Sequence, residues 1–162
     1  MESDVLSIRY DFYENIYELY FVGDKIVFSI VECLGRKDSF DDEIKLLEIG
    51  SDTPVSIIPV NAIDTQLQFI QAILGYIRYR DKLRIRNKGL LVASLILGTR
   101  QVRETIELLR KTYTYSNKKY YMICIESIDI CKRTSCKPIS IRFDSIANQR
   151  LVKNIRVLVE RL

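Results

Sequence analysis

Apolar and polar positions at the start of the chain fall into short alternating runs. Val5 to Phe12, Ile16 to Val22 and Ile26 to Cys33 are rich in β-branched and aromatic residues, and Glu14-Asn15 and Gly23-Asp24 separate them. Such punctuation predicts an antiparallel meander of three strands. The pattern then changes. Ser39 followed by Asp41, Asp42 and Glu43 marks a helix start, with the acids as partners of the positive end of the helix dipole. Gly50 is expected to end this helix, which carries Ile44 and Leu47, with Leu46 beside them, inward. Pro54-Val-Ser-Ile-Ile-Pro59 reads as a short strand bounded by prolines.

Asn61, Asp64 and Thr65 are candidate caps for a long helix in which Ile63, Leu67, Ile70, Leu74 and Ile77 form one stripe. Phe69, Ile73 and Tyr76 form a second stripe beside it. Two apolar faces require two covers, either sheet and neighbouring helix or sheet and a partner. Gly89 to Leu97 is apolar all round and far short of a membrane span, which marks a core helix. Gly98 is a left-handed stop and Thr99 a cap for the next helix, which buries Val102, Ile106 and Leu109. Its opposite side carries Arg100 and Glu104, Arg103 and Glu107, and Glu107 and Lys111 one helical turn apart. Tyr120 to Ile130 reads as a strand paired with Ile139 to Phe143 across the polar turn 132 to 138. An amphipathic helix from about Ser145 to Leu162 closes the chain, with Leu151, Ile155, Leu158 and Leu162 on one stripe and Val152 and Val159 on another. Together these elements predict one α+β domain over residues 1–162, a mainly antiparallel sheet packed against a layer of helices.

Composition fits this picture. Apolar residues make up 48% and charged residues 28% of the 162, a globular profile with enough chain to bury a core unaided. The net charge of +4 is too small to imply nucleic-acid binding by itself, but its distribution is uneven. Acids cluster at Asp38 to Glu43, and bases concentrate between Arg78 and Arg110. The opening Met-Glu-Ser-Asp lacks the basic flank and apolar core of a secretory signal, so a soluble cytoplasmic protein is expected. Cys33, Cys124, Cys131 and Cys136 form no C-x-x-C pair, and without histidine the usual mixed zinc sites are excluded, so no metal is expected. The thiols read as buried or idle, with one alternative: a small Cys131–Cys136 loop if the source is a thermophile.

Little here suggests catalysis. The commonest general base is absent, and no cysteine sits at a predicted helix start, where its thiolate would be stabilised. Neither G-x-x-x-x-G-K-[ST] nor G-x-G-x-x-G occurs to cradle a nucleotide, so no cofactor is expected. What remains is Arg78-Tyr-Arg80-Asp-Lys82-Leu-Arg84-Ile-Arg86-Asn-Lys88, with a base at every second position. On an extended loop this puts the bases on one side, and with Tyr76 and Tyr79 just before it forms a surface that could track single-stranded nucleic acid. The competing reading is a set of solvated charges that keep the loop soluble.

The centre of the chain resembles a known family. A capped helix start at Thr65, Ala72 one turn in, a basic loop ending at Arg84 to Asn87, the leucine-rich run Leu90 to Leu97, the junction Gly98-Thr99-Arg100-Gln101-Val102 and then Glu104-Thr105 follow in the order of the PRPK-binding protein (TPRKB) family. That family is the kinase-binding subunit of the KEOPS complex, which places threonylcarbamoyl on an adenosine of tRNA. The resemblance covers Asn61 to Leu109. It departs at Gln68-Phe69, where many members carry histidine and leucine, and at Leu91, where they carry an acid.

The resemblance implies an archaeal, cytoplasmic, non-catalytic subunit that docks on a small atypical protein kinase and binds the single-stranded 3′ CCA end of tRNA. Lys82, Arg84, Arg86, Asn87, Lys88, Arg100 and Gln101 are the expected tRNA-binding residues. Leu151, Ile155, Leu158, Val159 and Leu162 are the expected kinase contacts, because the stripe not packed on the sheet needs a cover. The alternative is a winged-helix DNA-binding regulator, with Leu90 to Leu97 and Arg100 to Lys111 as its helix-turn-helix and Tyr120 to Phe143 as its wing. An adaptor without nucleic-acid contact is a third reading.

Overall fold

A computed structural model describes residues 6–82, 86–133 and 136–141. The expected meander is present: β1 (Leu6–Asp11), β2 (Ile16–Phe21) and β3 (Asp24–Leu34) pair antiparallel in sequence order. Two further antiparallel strands complete the run, β4 (Val55–Pro59) and β5 (Lys119–Ile125), in the order β1-β2-β3-β5-β4. The first hairpin is closed from inside. Asn15, at φ 51°, donates from Nδ2 to Ser29 Oγ and the Ile30 carbonyl and accepts from the Tyr10 hydroxyl, so a buried amide locks the turn onto β3.

Adjacent residues on a strand face opposite sides of the sheet, and β5 uses both. Tyr121 meets Phe69 edge-to-face at 5.3 Å, which seats the long helix α2 (Leu67–Tyr79) on one face. Tyr120 donates to buried Glu43 on the other face, where α1 (Phe40–Leu47) lies with α4 (Val102–Thr112) beside it. The helix α3 (Lys88–Leu97) packs between α2 and the outer strand β4. Both stripes of α2 are used inside the molecule: Leu67, Ile70 and Leu74 are buried, and so are Phe69, Ile73 and Tyr76. The result is an α+β domain whose mainly antiparallel sheet packs against helices.

Several local expectations are corrected. Ser39 does cap α1, accepting from the Asp42 amide, but the helix ends at Glu48, at φ 51°, and not at Gly50. Its inward side is Phe40 and Glu43 with Leu47 half-buried, while Ile44 and Leu46 are exposed. In α4, Thr105 and Leu109 are buried and Val102 is 41% exposed. The apolar run after Tyr120 is not one strand. Glu126, at φ 60°, turns the chain out of β5 into the short helix α5 (Ile128–Arg133). A last strand β6 (Lys137–Pro138) then pairs with β3, not with β5.

That register overturns the cysteine reading. Lys137 lies opposite Glu32, so Cys136 comes beside Cys33, and these two form a disulfide. The turn into α5 brings Cys131 back over Cys124, and they form the second. No cysteine is free, so the thiols are not idle as expected, and the alternative Cys131–Cys136 loop does not form either. The predicted closing helix at 145–162, with Leu151, Ile155, Leu158, Val159 and Leu162, lies outside the described residues.

Candidate nucleic-acid interface

The candidate site is built on the two ends of α3. At its start Asn87 is the N-cap, its Oδ1 accepting from the Leu90 amide at 3.0 Å. The neighbouring backbone is fixed as well. The Lys88 amide donates to the Ser51 carbonyl at 2.9 Å, and Gly89 lies so close to β4 that a Cβ there would stand 2.5 Å from the Val55 oxygen. Only glycine allows that approach. Asn87, one of the expected tRNA contacts, therefore has a structural role, and it sets Arg86 and Lys88 in defined positions on either side of itself.

The first part of the basic stretch, Arg78 to Arg80, is not the extended rim that alternation suggested. Arg78 belongs to the last turn of α2, and Arg80 caps that helix in helical conformation. A helix scatters alternate positions around its axis. Arg78 accordingly turns its guanidinium over the Tyr79 ring at 5.2 Å, and Arg80 pairs with Glu126 at 3.1 Å. Tyr76 is buried, its phenol pushed above the ordinary value first by burial and then by the charge of Glu126, so it is not a stacking surface. The exposed cations left at this end are Lys82, Arg86 and Lys88, none ion-paired among the described residues. Arg84 lies outside those residues. Two carboxylates share this end: exposed Asp81 beside Lys82, and exposed Asp52 beside Ser51.

At the far end of α3, Gly98 sits at φ 70° and the Thr99 amide donates to the Ser94 carbonyl at 3.1 Å. Thr99 does not cap α4 as expected. Gln101 is that N-cap and makes no side-chain cap bond. The buried Thr105 hydroxyl donates to the Gln101 carbonyl at 3.0 Å, so the Thr99 hydroxyl, 2.6 Å away, is the donor to Thr105. This hydroxyl pair fixes the junction and leaves Arg100 and Gln101 exposed, with Arg100 free of ion pairs among the described residues. Ten helical residues separate the two ends, about 15 Å at the usual rise, so the expected tRNA-binding residues form two clusters and not one.

Gln68, a departure from the family pattern, has a clear function in this fold. Its Oε1 accepts from the Asp64 and Thr65 amides, capping the start of α2, while its Nε2 donates to the Ile96 carbonyl and ties that start to the end of α3. Leu91, the other departure, is 3% exposed in the core, where an acid would be buried without charge compensation. Next to the Asn87 end lies an apolar hollow of about 80 Å³, walled by Phe40, Ile44, Ile49, Val55, Leu90 and Leu109. Glycine-for-backbone contacts such as Gly89 to Val55 were not readable from spacing, although a glycine directly after a cap and a base is their only trace.

The winged-helix reading loses its wing in this fold. β5 is an interior strand held between β3 and β4, and 128–133 is helical, so among the described residues no free hairpin follows α4. No helix among the described residues is long and apolar enough to cross a membrane. No family model and no curated protein matches the chain.

Proposed function

We propose that this protein is a non-catalytic accessory subunit of a KEOPS-type tRNA threonylcarbamoyl-adenosine modification complex, binding a small atypical kinase and the 3′ end of tRNA. The observation that carries the reading is the start of α3, where exposed Arg86 and Lys88, without ion pairs among the described residues, flank a backbone held by the Asn87 cap and the Gly89 contact, with exposed Lys82 following the end of α2. Cations on a fixed backbone bind phosphates with little ordering cost, and their excess over Asp52 and Asp81 favours a polyanion. Arg100 and Gln101, about 15 Å away, fit a second stretch of the same strand. The kinase contact is assigned to the segment of Leu151, Ile155, Leu158, Val159 and Leu162, on the strength of its second apolar stripe.

The test is tRNA binding across a salt series. Arg86→Glu with Lys88→Glu should weaken binding and flatten the salt slope by about 1.4, at roughly 0.7 per lost single-strand phosphate contact. Arg100→Glu should lower it by about half that amount. An unchanged slope in the double variant removes these residues from the interface. Equal binding of full-length tRNA and tRNA trimmed of its terminal nucleotides removes recognition of the 3′ end.

A further inference from the structure

The outer strand β1 carries an unused charge pattern. Arg9 lies opposite Glu18 in the β1–β2 register, yet Glu18 pairs with Lys25 at 3.6 Å and accepts from the Tyr20 hydroxyl. Arg9 is exposed and has no ion pair among the described residues. Two positions along the same strand face, Asp11 uses one oxygen to accept from the Tyr13 and Glu14 amides, and its other oxygen has no partner among those residues. Beyond it the turn exposes Phe12 at 76% and Tyr13 at 95%. An open hollow of about 420 Å³, lined by Arg9, Tyr10, Asp11, Ile16 and Glu18, lies over the β1–β2 pair beside this edge. Among the described residues no strand pairs with the outer side of β1.

Charges on an edge strand ordinarily keep other chains away. Here their order is complementary to itself. Alternate residues of a strand turn their backbone groups outward, so a two-fold antiparallel pairing must centre on a residue and not between residues. Centred on Arg9 it opposes two arginines, and centred on Asp11 two aspartates, both unfavourable. Centred on Ile8 it places Arg9 against Ser7 and satisfies no charge. Centred on Tyr10 it opposes Arg9 to Asp11 twice and brings each Phe12 to the partner's Ile8.

We propose that two copies of this chain associate through β1 about a two-fold axis at Tyr10, joining their sheets edge to edge. Each exposed aromatic contributes on the order of 150 Å² of buried surface, so four rings and the paired strands reach only the low end of a specific interface. The dimer is accordingly weak and salt-sensitive. It is independent of the function proposed above.

Sedimentation equilibrium of the full chain should give a monomer–dimer equilibrium with a Kd below about 100 µM, corresponding to a small interface. Arg9→Glu, which opposes two acids twice over, should weaken it at least about tenfold, as should Asp11→Lys. An equimolar mixture of the two variants should associate within about threefold of the original, because the mixed dimer keeps one Arg9–Asp11 pair and restores the other with exchanged signs. Arg9 is exposed, so its variant folds; Asp11→Asn keeps the turn acceptor and replaces Asp11→Lys should the latter unfold, with a smaller loss expected. A chain monomeric at about 1 mM, an Arg9→Glu variant that dimerises undiminished, or a folded mixture that fails to recover overturns the proposal.

Discussion

Glu43 is the most consequential side chain that the charge pattern concealed. It is 2% exposed, and it accepts from the Arg36 and Lys37 amides at 2.9 Å each and from the Tyr120 hydroxyl at 3.0 Å. No cation pairs with it among the described residues, so hydrogen bonds, with the positive end of the α1 dipole, compensate its burial. Glu43→Ala strands two amides and a phenol at about 1–3 kcal/mol each, partly offset by no longer burying a charge, for a loss of about 3–6 kcal/mol. Glu43→Gln keeps the shape and one acceptor, and forfeits mainly the charge assistance, at about 1–2 kcal/mol. Denaturant titration with equal slopes measures both, against a whole-domain stability of about 5–15 kcal/mol. A second readout is independent of stability. The Tyr120 phenol is held above its ordinary value first by burial and then by the charge and hydrogen bond of Glu43, so Glu43→Gln should lower it in a tyrosine-resolved NMR titration. Tyr17, remote from Glu43 and raised by burial, should not move. Both variants within about 0.5 kcal/mol of the original, with Tyr120 unshifted, would refute the reasoning.

Three further outcomes follow from the same structure. The Cys33–Cys136 disulfide closes a separation of 103 residues, so Cys33→Ser with Cys136→Ser should cost about 2–4 kcal/mol in denaturant titration, and a loss well under 1 kcal/mol would contradict its role. Val22 occupies φ 47° beside Gly23 in the β2–β3 turn while 56% exposed, and Val22→Asn should raise stability by about 1 kcal/mol, since asparagine tolerates that conformation. The Tyr17 and Tyr113 phenols are pushed by burial to about 12 in the folded state. An acid whose folded value lies above its unfolded value of about 10 favours folding fully below pH 10 and progressively less up to pH 12, so the thermal midpoint should be level near pH 8 and fall across that window. A midpoint flat to pH 12 would contradict this.

The parts of the fold legible in the sequence were those set by local chemistry. The three-strand meander, the Ser39 cap, the proline-bounded strand and the Gly98 stop each depend on residues within a few positions of one another. What escaped depends on distant partners. Glu43 looked like the third of three equivalent helix-dipole acids, and only the approach of Tyr120 and the turn at Arg36 distinguishes it from Asp41 and Asp42. Disulfide connectivity followed from β6 returning to β3, a pairing that no spacing announces. The run from Tyr120 to Ile130 has the apolar content of a strand throughout, and one positive φ at Glu126 divides it. In the candidate site the identity of the exposed bases was legible, but not their separation onto the two ends of α3, because Arg78 and Arg80 continue the α2 helix where alternation suggested an extended loop.

The central claim is membership of a tRNA-modifying assembly through a kinase contact, and isolation of the tagged full chain from its native source, followed by quantitative mass spectrometry, tests it most directly. The account predicts a small atypical kinase and a threonylcarbamoyl transferase recovered in near-equal amounts with the chain. It also predicts that Leu158→Asp with Leu162→Asp releases the kinase while the thermal midpoint stays nearly unchanged, because an interface residue is exposed in the free subunit. Recovery of neither enzyme, with the chain folded and abundant, would contradict it.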